Sequence, residues 1–326
     1  YWEFHNQGSK FTTISPLHEV TSAELQLAHT GQFINDIHCK SNMIAQAAEV
    51  YMLRVVPSSL LRSALVNPFK WHTSGTVLAA HMALKYGWAI NLGGGFHHAS
   101  NGRAQGFCFF ADITLIIQYL WKYVDEDLNF MIIDLDAHQG NGYELDKFIM
   151  SLRQKKKVYV LDVYNKDIYP MDKIAKDFIN TKVELLPNTS DDEYLKHINE
   201  SIGKALKEFS TSLIIYNAGS DILNGDPLGG LNITEQGLFE RDRVVFNFAK
   251  TYGIPIVMLT SGGYQRSNAQ VIANSIINLL NGNLIEPVNE NNMNSMAIPQ
   301  FSNLMPGYDY NRFVGLSESD RQDLKC

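Results

Sequence analysis

Apolar residues in this chain gather into short, β-branched runs: Trp88-Ala89-Ile90-Asn91-Leu92, Phe130-Met131-Ile132-Ile133, Val158-Tyr159-Val160-Leu161, Leu213-Ile214-Ile215-Tyr216 and Ile256-Val257-Met258-Leu259. Such runs read as strands buried on both faces, as in a parallel sheet covered by helices. Helical patterns lie between them, over Thr76 to Tyr86 (stopped by Gly87), Ala111 to Val124, Glu193 to Phe209 and Gln236 to Tyr252. Thr21-x-x-Glu24 predicts a capping box that opens a further helix near the start. Alternating strands and helices predict an α/β fold with a doubly wound parallel sheet. In such sheets ligands sit in the crevice beyond the carboxyl ends of the strands.

Four of the predicted strands run directly into polar clusters. The first is followed by Gly93-Gly94-Gly95-Phe96-His97-His98. Glycines there allow a sharp turn and close approach to a ligand, and two adjacent imidazoles are costly to bury without partners. The second leads into Asp134-Leu135-Asp136-Ala137-His138-Gln139-Gly140-Asn141-Gly142. Residues two apart on an extended segment point the same way, so Asp134, Asp136 and His138 share a face. Carboxylate and imidazole suit zinc. A later strand leads into Asn217-Ala218-Gly219-Ser220-Asp221 and then Gly225-Asp226-Pro227, and the last into Ser261-Gly262-Gly263-Tyr264. Asp221 could complete a site with three protein ligands and one open position, the mark of a catalytic zinc. Tyr264 would bring a hydroxyl to the same rim.

Composition narrows the choice of function. Of 326 residues, 45% are hydrophobic and 19% charged, enough apolar sequence for a large core. Lysine and arginine number 27 against 34 acidic residues, a formal charge of −7. That balance offers no basic footprint for direct nucleic-acid binding. The run Lys155-Lys156-Lys157 reads as a solvated loop. Cys39, Cys108 and Cys326 form no CxxC pair, so the spacing indicates neither a disulfide framework nor a cysteine zinc site, and a reducing compartment fits best. No apolar run has transmembrane length, and Tyr1-Trp2-Glu3-Phe4-His5 lacks the layout of a signal peptide.

The blocks Gly93 to His98, Ile132 to Gly142, Tyr216 to Thr234 and Thr260 to Gln265 resemble the signature blocks of zinc-dependent histone deacetylases. Trp88-Ala89-Ile90-Asn91, Asp134 to Gly142 and Ser261-Gly262-Gly263-Tyr264-Gln265 look specifically like the class IV, eleven-type branch. The resemblance spans roughly residues 11 to 285. It implies the arginase/deacetylase fold, with a catalytic domain over residues 1–285 and a loosely packed or mobile tail over 286–326. The family's first strand and His-Pro-Phe loop would precede Tyr1.

Matched position by position, the resemblance implies Asp136, His138 and Asp221 as zinc ligands, His97 and His98 as the tandem histidines, and Tyr264 as the carbonyl-polarising tyrosine. Asp134 would orient the first histidine. Asn141 stands where class I members carry an aspartate beside the second, which should leave His98 less basic. Phe107 and Tyr169 match the aromatic walls of an acyl-lysine tunnel, with Leu228 near its rim and Gly106, Gly262 and Gly263 on the substrate side. A potassium ion is expected on Asp134 and the main-chain oxygens of Asp136 and His138, with Asp162 contributing.

The implied activity is hydrolysis of acyl groups from lysine side chains of histone or other proteins, with a long-chain fatty-acyl preference, in nucleus or cytoplasm and with protein complexes as partners. Two other readings share the fold. A two-metal ureohydrolase wants more carboxylates than Gln139-Gly140-Asn141 offers. A catalytically weak acyl-lysine-binding scaffold would not need Tyr264.

Overall fold

The computed structural model describes residues 13–153 and 157–286. Tyr1 to His5, Lys155, Lys156 and the tail from residue 287 lie outside them. The chain begins with helices α1 (Ser22–Leu25), α2 (Gly31–Cys39) and α3 (Ser41–Ala47), a 3-10 turn (Tyr51–Val55) and α4 (Ser58–Leu61). A π-turn (Arg62–Val66) leads into α5 (Asn67–Tyr86) and β1 (Trp88–Asn91). Then follow α6 (Asp112–Tyr123), β2 (Phe130–Asp134), α7 (Asn141–Arg153), β3 (Val158–Asn165) and β4 (Thr181–Leu185). The chain continues through α8 (Asp191–Glu208), β5 (Leu213–Asn217), α9 (Glu235–Tyr252), β6 (Ile256–Leu259) and α10 (Asn268–Asn281).

All strand pairings are parallel, in the order β1-β6-β5-β2-β3-β4. Strands β2, β3 and β5 are buried along their whole length, which is why each is a continuous apolar run. Successive side chains nevertheless serve opposite faces. Met131 and Ile133 pack with Tyr194, Ile198, Val245 and Leu279 from α8, α9 and α10. Phe130 and Ile132 pack with Ala80, Ile116, Leu120 and Tyr143 from α5, α6 and α7. Each large aliphatic side chain buried this way contributes about 1.5–3 kcal/mol. A third apolar cluster joins the N-terminal helices to Phe109, Phe110 and Leu115. No helix among the described residues is long and apolar enough to cross a membrane.

Register sets up the site. Asn91 aligns with Leu259, Leu259 with Asn217, Asn217 with Asp134, and Asp134 with Asp162. Four strand ends therefore lie in one row, with Asp162 beside them inside the longer β3. The chain order turns around between β2 and β5: β2 is followed outward by β3, and β5 by β6 on the other side. That reversal opens the crevice in which α/β sheets bind ligands.

All five apolar runs form strands, although Leu92 falls just outside β1 and is exposed. The Thr21 capping box is present: its hydroxyl accepts from Glu24 N–H, and the Glu24 carboxylate accepts from Thr21 N–H at 2.7 Å. It opens a single helical turn. Helix α5 starts earlier than Thr76, with Pro68 in its first turn, and Gly87 closes it at φ +88°, a left-handed conformation that glycine adopts without a Cβ clash. Strand β4 is an edge strand whose buried and exposed positions alternate around Lys182 and Glu184, so it presents no apolar run.

His29 fastens the N-terminal layer to the loop after β1. Its Nδ1–H donates to Asn101 O (3.1 Å), its Nε2 accepts from Ala111 N–H (2.9 Å), and its ring stacks on Phe33 at 4.5 Å. Burial pushes its pKa down to about 4 from 6.5, against the two backbone carbonyls that favour the charged form. The unfolded chain takes up this proton below pH 6.5 and the folded chain only near 4, so stability falls as pH drops through that window. We expect His29 to account for roughly 3 kcal/mol of acid destabilisation between those limits. His29→Gln, which keeps a donor and an acceptor but cannot titrate, should flatten the fall in melting temperature from pH 6.5 to 4 by a measurable margin.

Candidate active site and metal centre

Two carboxylates and an imidazole converge at the β2–β5 crevice. Asp136 lies just past β2, and Asp221 just past β5. The potential donor atoms of Asp136, His138 and Asp221 all lie within 4.8 Å of one another, and all three residues are buried. His138 Nδ1 sits 3.1 Å from Asp136 Oδ1 and 2.9 Å from Asp221 Oδ2. The backbone is shaped to allow this. Ala137 N–H donates to Asp221 Oδ1 at 2.9 Å, and Gly262 N–H donates to Asp136 Oδ2 at 3.1 Å. A Cβ on Gly262 would lie 2.7 Å from both ligand carboxylates, so only glycine lets this backbone approach so closely. Ser261 adds a hydroxyl to Asp136 Oδ2 at 3.1 Å.

Burial and the neighbouring Asp136 charge push Asp221 up to about 7, although His138 pulls the other way. Burial alone would raise Asp136 too, yet His97 and His138 hold it well below the usual carboxylate range. Two carboxylates crowded against one imidazole leave more acceptor capacity than the protein fills. That donor set, two carboxylates and one imidazole, fits a zinc ion.

The tandem histidines stand beside this cluster, their ring centroids 4.0 Å apart. His97 Nδ1 donates to Asp134 Oδ2 at 3.0 Å. Burial opposes a charge on His97, but Asp136 and Asp134 outweigh it and push the pKa up to about 9. His98 Nδ1 donates to Asn141 Oδ1 at 2.9 Å. Burial, reinforced by the charge on His97, holds His98 well below its usual value, so it is neutral at physiological pH. The two rings thus carry different protonation states, set by a carboxylate beside one and an amide beside the other.

Tyr264 is partly exposed at the rim, with its ring 6.4 Å from that of His138. Burial of its hydroxyl and the nearby Asp136 and Asp221 charges raise its pKa far above 10, so the hydroxyl stays protonated. Its aromatic neighbours are arranged around the opening. Phe107 lies 5.9 Å from Tyr264, while Tyr169 meets His98 edge-on at 4.9 Å. Phe107, Tyr169 and Leu228 are each about 40% exposed, as residues lining a mouth should be (40%, 40% and 41%). Gly106 backs onto His98, where a Cβ would come within 2.4 Å of the ring. Gly263, with φ +149°, passes against Ser220 and Asn268.

Asp134 is more heavily used than its sequence role suggests. Besides His97 it accepts from Tyr143 O–H (3.0 Å), the Asn217 side-chain Nδ2–H (3.0 Å) and the Asp136 backbone N–H (3.1 Å). Asp162, its register partner on β3, accepts from Gly140 N–H at 2.9 Å and faces Glu144. Burial pushes Glu144 up to about 7, and burial with the charges of Asp134 and Glu144 pushes Asp162 well up.

Arg241 and Asp226 escaped the reading of the sequence. Arg241 is fully buried beneath the site, donating to the carbonyls of Gly219, Leu135 and Ala218 and pairing with Asp242 at 2.8 Å. Its signal is positional: Leu238, Arg241, Val245 and Ala249 recur at helical spacing on the buried face of α9. A charge inside an apolar stripe has a buried partner. Asp226 accepts from Leu228 N–H and Gly229 N–H with one oxygen and from Tyr264 N–H with the other, tying rim to tyrosine. It stood in the Gly225-Asp226-Pro227 cluster without an assigned role.

Residues 4–280 match the histone deacetylase domain family. The chain belongs to this family. Histone deacetylase 2 of Arabidopsis thaliana is 45% identical over 273 residues, covering 84% of this chain and 68% of that protein. Human histone deacetylase 1 is 26% identical over 260 residues, covering 77% of this chain and 52% of its own length. Among solved structures, a histone deacetylase homologue from Aquifex aeolicus matches the fold with a TM-score of 0.61 at 23% identity, covering 80% of this chain and 70% of its own.

Removing Arg241 leaves Asp242 buried without its cation and the carbonyls of Ala218 and Gly219 without their guanidinium donor. Such a loss typically costs about 3–5 kcal/mol. Arg241→Leu should lower the free energy of unfolding by that amount in urea titration, and zinc affinity should fall with it. A change under about 1 kcal/mol would mean that the carbonyls are held by other means.

Proposed function

We propose that this protein is a zinc-dependent hydrolase that removes acyl groups from the side-chain amine of lysine in histone or other proteins. One observation carries the reading: three ligand-type side chains converge beside a neutral His98 and a protonated Tyr264 hydroxyl at an aromatic-rimmed opening. Asp136, His138 and Asp221 would hold the metal. A zinc ion held there would lower the pKa of a water and polarise the acyl carbonyl.

The remaining work falls to the chain's own groups. His98, uncharged and with one ring nitrogen engaged by Asn141, takes the proton of the attacking water and returns it to the leaving lysine amine. His97, held cationic by Asp134 and Asp136, offsets negative charge as it develops. The Tyr264 hydroxyl donates to the carbonyl oxygen as that oxygen becomes anionic. Phe107 and Tyr169 flank the lysine stem and exclude water from it, with Leu228 at the rim and the backbone of Gly106, Gly262 and Gly263 leaving room for them.

Asn141 and the blocks around it support placement in the class IV branch, and that placement in turn implies a nuclear or cytoplasmic location and a preference for long acyl chains. Each buried methylene contributes about 0.8 kcal/mol, so a fatty chain gains much if a channel receives it. A potassium ion is also proposed beneath the site, on Asp134 and the main-chain oxygens of Asp136 and His138. Its support is the buried Asp162–Glu144 pair, in which Asp162 Oδ1 and Glu144 Oε1 accept no hydrogen bond.

An assay of acyl-lysine peptides from acetyl to myristoyl, with and without a chelator, tests the whole reading. Hydrolysis should require metal, and kcat/KM should rise with chain length; equal values for acetyl and myristoyl would remove the fatty-acyl preference and leave the deacylase. Tyr264→Phe should retain zinc and lose on the order of a hundredfold or more in kcat, whereas Asp136→Asn and Asp221→Asn should lose zinc itself, read by elemental analysis. Full activity in the tyrosine variant would assign the oxyanion elsewhere.

A further inference from the structure

The partner of His98 has a partner of its own. Asn141 accepts from His98 Nδ1–H with Oδ1 at 2.9 Å, and its Nδ2 lies 3.4 Å from Asp172 Oδ2, the long end of hydrogen-bond distance. A carboxylate can only accept. Asp172 therefore draws the NH2 end of the Asn141 amide, and the carbonyl end must face His98. Because a carbonyl also only accepts, His98 has to carry its hydrogen on Nδ1, which leaves Nε2 bare in the neutral ring.

We propose that Asp172 is a positioning residue: acting through Asn141, it locks His98 in the tautomer whose Nε2 can take a proton. The inference rests on the base role assigned to His98 above. An aspartate at position 141 would need no such help, since either of its oxygens accepts. An asparagine does, because a half-turn of its amide would present NH2 to the imidazole and leave the hydrogen on the wrong nitrogen.

Asp172 is held where it can act. Its backbone N–H donates to Gln139 Oε1 at 3.0 Å, and its carbonyl accepts from Gln139 Nε2 at 3.1 Å. Gln139 is buried and continues to Glu144 at 2.6 Å. The other carboxylate oxygen, Oδ1, accepts from Ile174 N–H and Ala175 N–H, both at 3.0 Å. Oδ2 is left to meet Asn141. The same loop carries Tyr169, whose ring meets His98 edge-on, so one segment fixes both the face and the tautomer of the imidazole.

Asp172 could instead serve only to cap the turn at Ile174 and Ala175, and the test has to separate the two. In Asp172→Asn the single side-chain oxygen is claimed by those N–H groups, so the new NH2 faces Asn141 and turns its amide around. We expect kcat of the zinc-loaded protein to fall by about tenfold or more with KM within about twofold. Nitrogen-15 spectra of histidine-labelled protein, with the His98 signal identified by its loss in His98→Ala, should show Nε2 changing from a bare to a hydrogen-bearing nitrogen. The double variant Asn141→Asp/Asp172→Asn supplies an acceptor for His98 and a donor for that acceptor. It should restore kcat to within about threefold of the parent and return the bare Nε2, closing a strongly non-additive cycle with Asn141→Asp. If the double variant is no better than Asp172→Asn, or if His98 keeps its tautomer in Asp172→Asn, Asp172 only caps the turn and the proposal fails. An inactive parent protein would instead defeat the base role, while the spectra would still report whether Asp172 sets the tautomer.

Discussion

A single guanidinium, that of Arg241, lies where the sheet changes direction and grips the backbone on both sides of the change. Through Leu135 O it holds the chain leaving β2; through Ala218 O and Gly219 O it holds the chain leaving β5. The backbone ladder between β2 and β5 ends one residue past the paired strands, where Leu135 N–H donates to Asn217 O at 3.0 Å, and Arg241 continues the tie beyond it. Asp136 follows one end and Asp221 the other. The two carboxylates repel, and Arg241 adds to the Ala137 N–H and His138 contacts that hold them together. A buried charge is a costly anchor, and it is tolerable here because Asp242 neutralises it while carbonyls take up its remaining donors. Asp242 is itself satisfied by Tyr216 O–H and Ser275 O–H.

Around that anchor the electrostatics are unequal by design of the partners rather than of the rings. His97 and His98 are neighbours in sequence and in space, buried alike, yet one is held charged and the other neutral. The difference lies in the two carboxylates around His97, Asp136 at 3.6 Å from Nε2 and Asp134 at 3.0 Å from Nδ1, against an amide behind His98 Nδ1 and the His97 charge beside it. A hydrogen bond to a carboxylate favours the imidazolium; an amide gives direction without charge. The site thereby obtains a fixed positive group and an available lone pair on rings whose centroids lie 4.0 Å apart.

Much of this was legible in the residues. The apolar runs gave the strands because strands buried on both faces leave no room for polar residues, and the polar clusters after Leu92, Ile133, Tyr216 and Leu259 marked the crevice. What escaped has physical reasons. Strand β4 lies at the sheet edge, half in water, so Lys182 and Glu184 interrupt its pattern. Helix α7 begins inside the Asp134–Gly142 block, where Asn141 and Gly142 carry no apolar stripe to mark a helix start. Asp172 and Asp226 act through backbone N–H groups and single amides, contacts that any surface loop with an aspartate could make. Arg241 had a usable signal, a charge on the buried face of α9, which only becomes telling once burial is counted as a cost.

The row of aligned strand ends has a consequence for how this chain tolerates changes in length. Asp136 follows Asp134 at the end of β2 by two residues, and Tyr264 follows Leu259 at the end of β6 by five. These spans are taut: one inserted residue would turn a donor to the opposite face or carry it past the crevice. The stretch from Asp167 to Asn180 is different, for it leaves the sheet after β3 and returns only at β4. Insertions near Asp177, past the Asp172 turn that ends at Ala175, leave the donor positions unchanged. Variation in length among natural or engineered forms should therefore accumulate there and be purged from the segments just beyond β2 and β6.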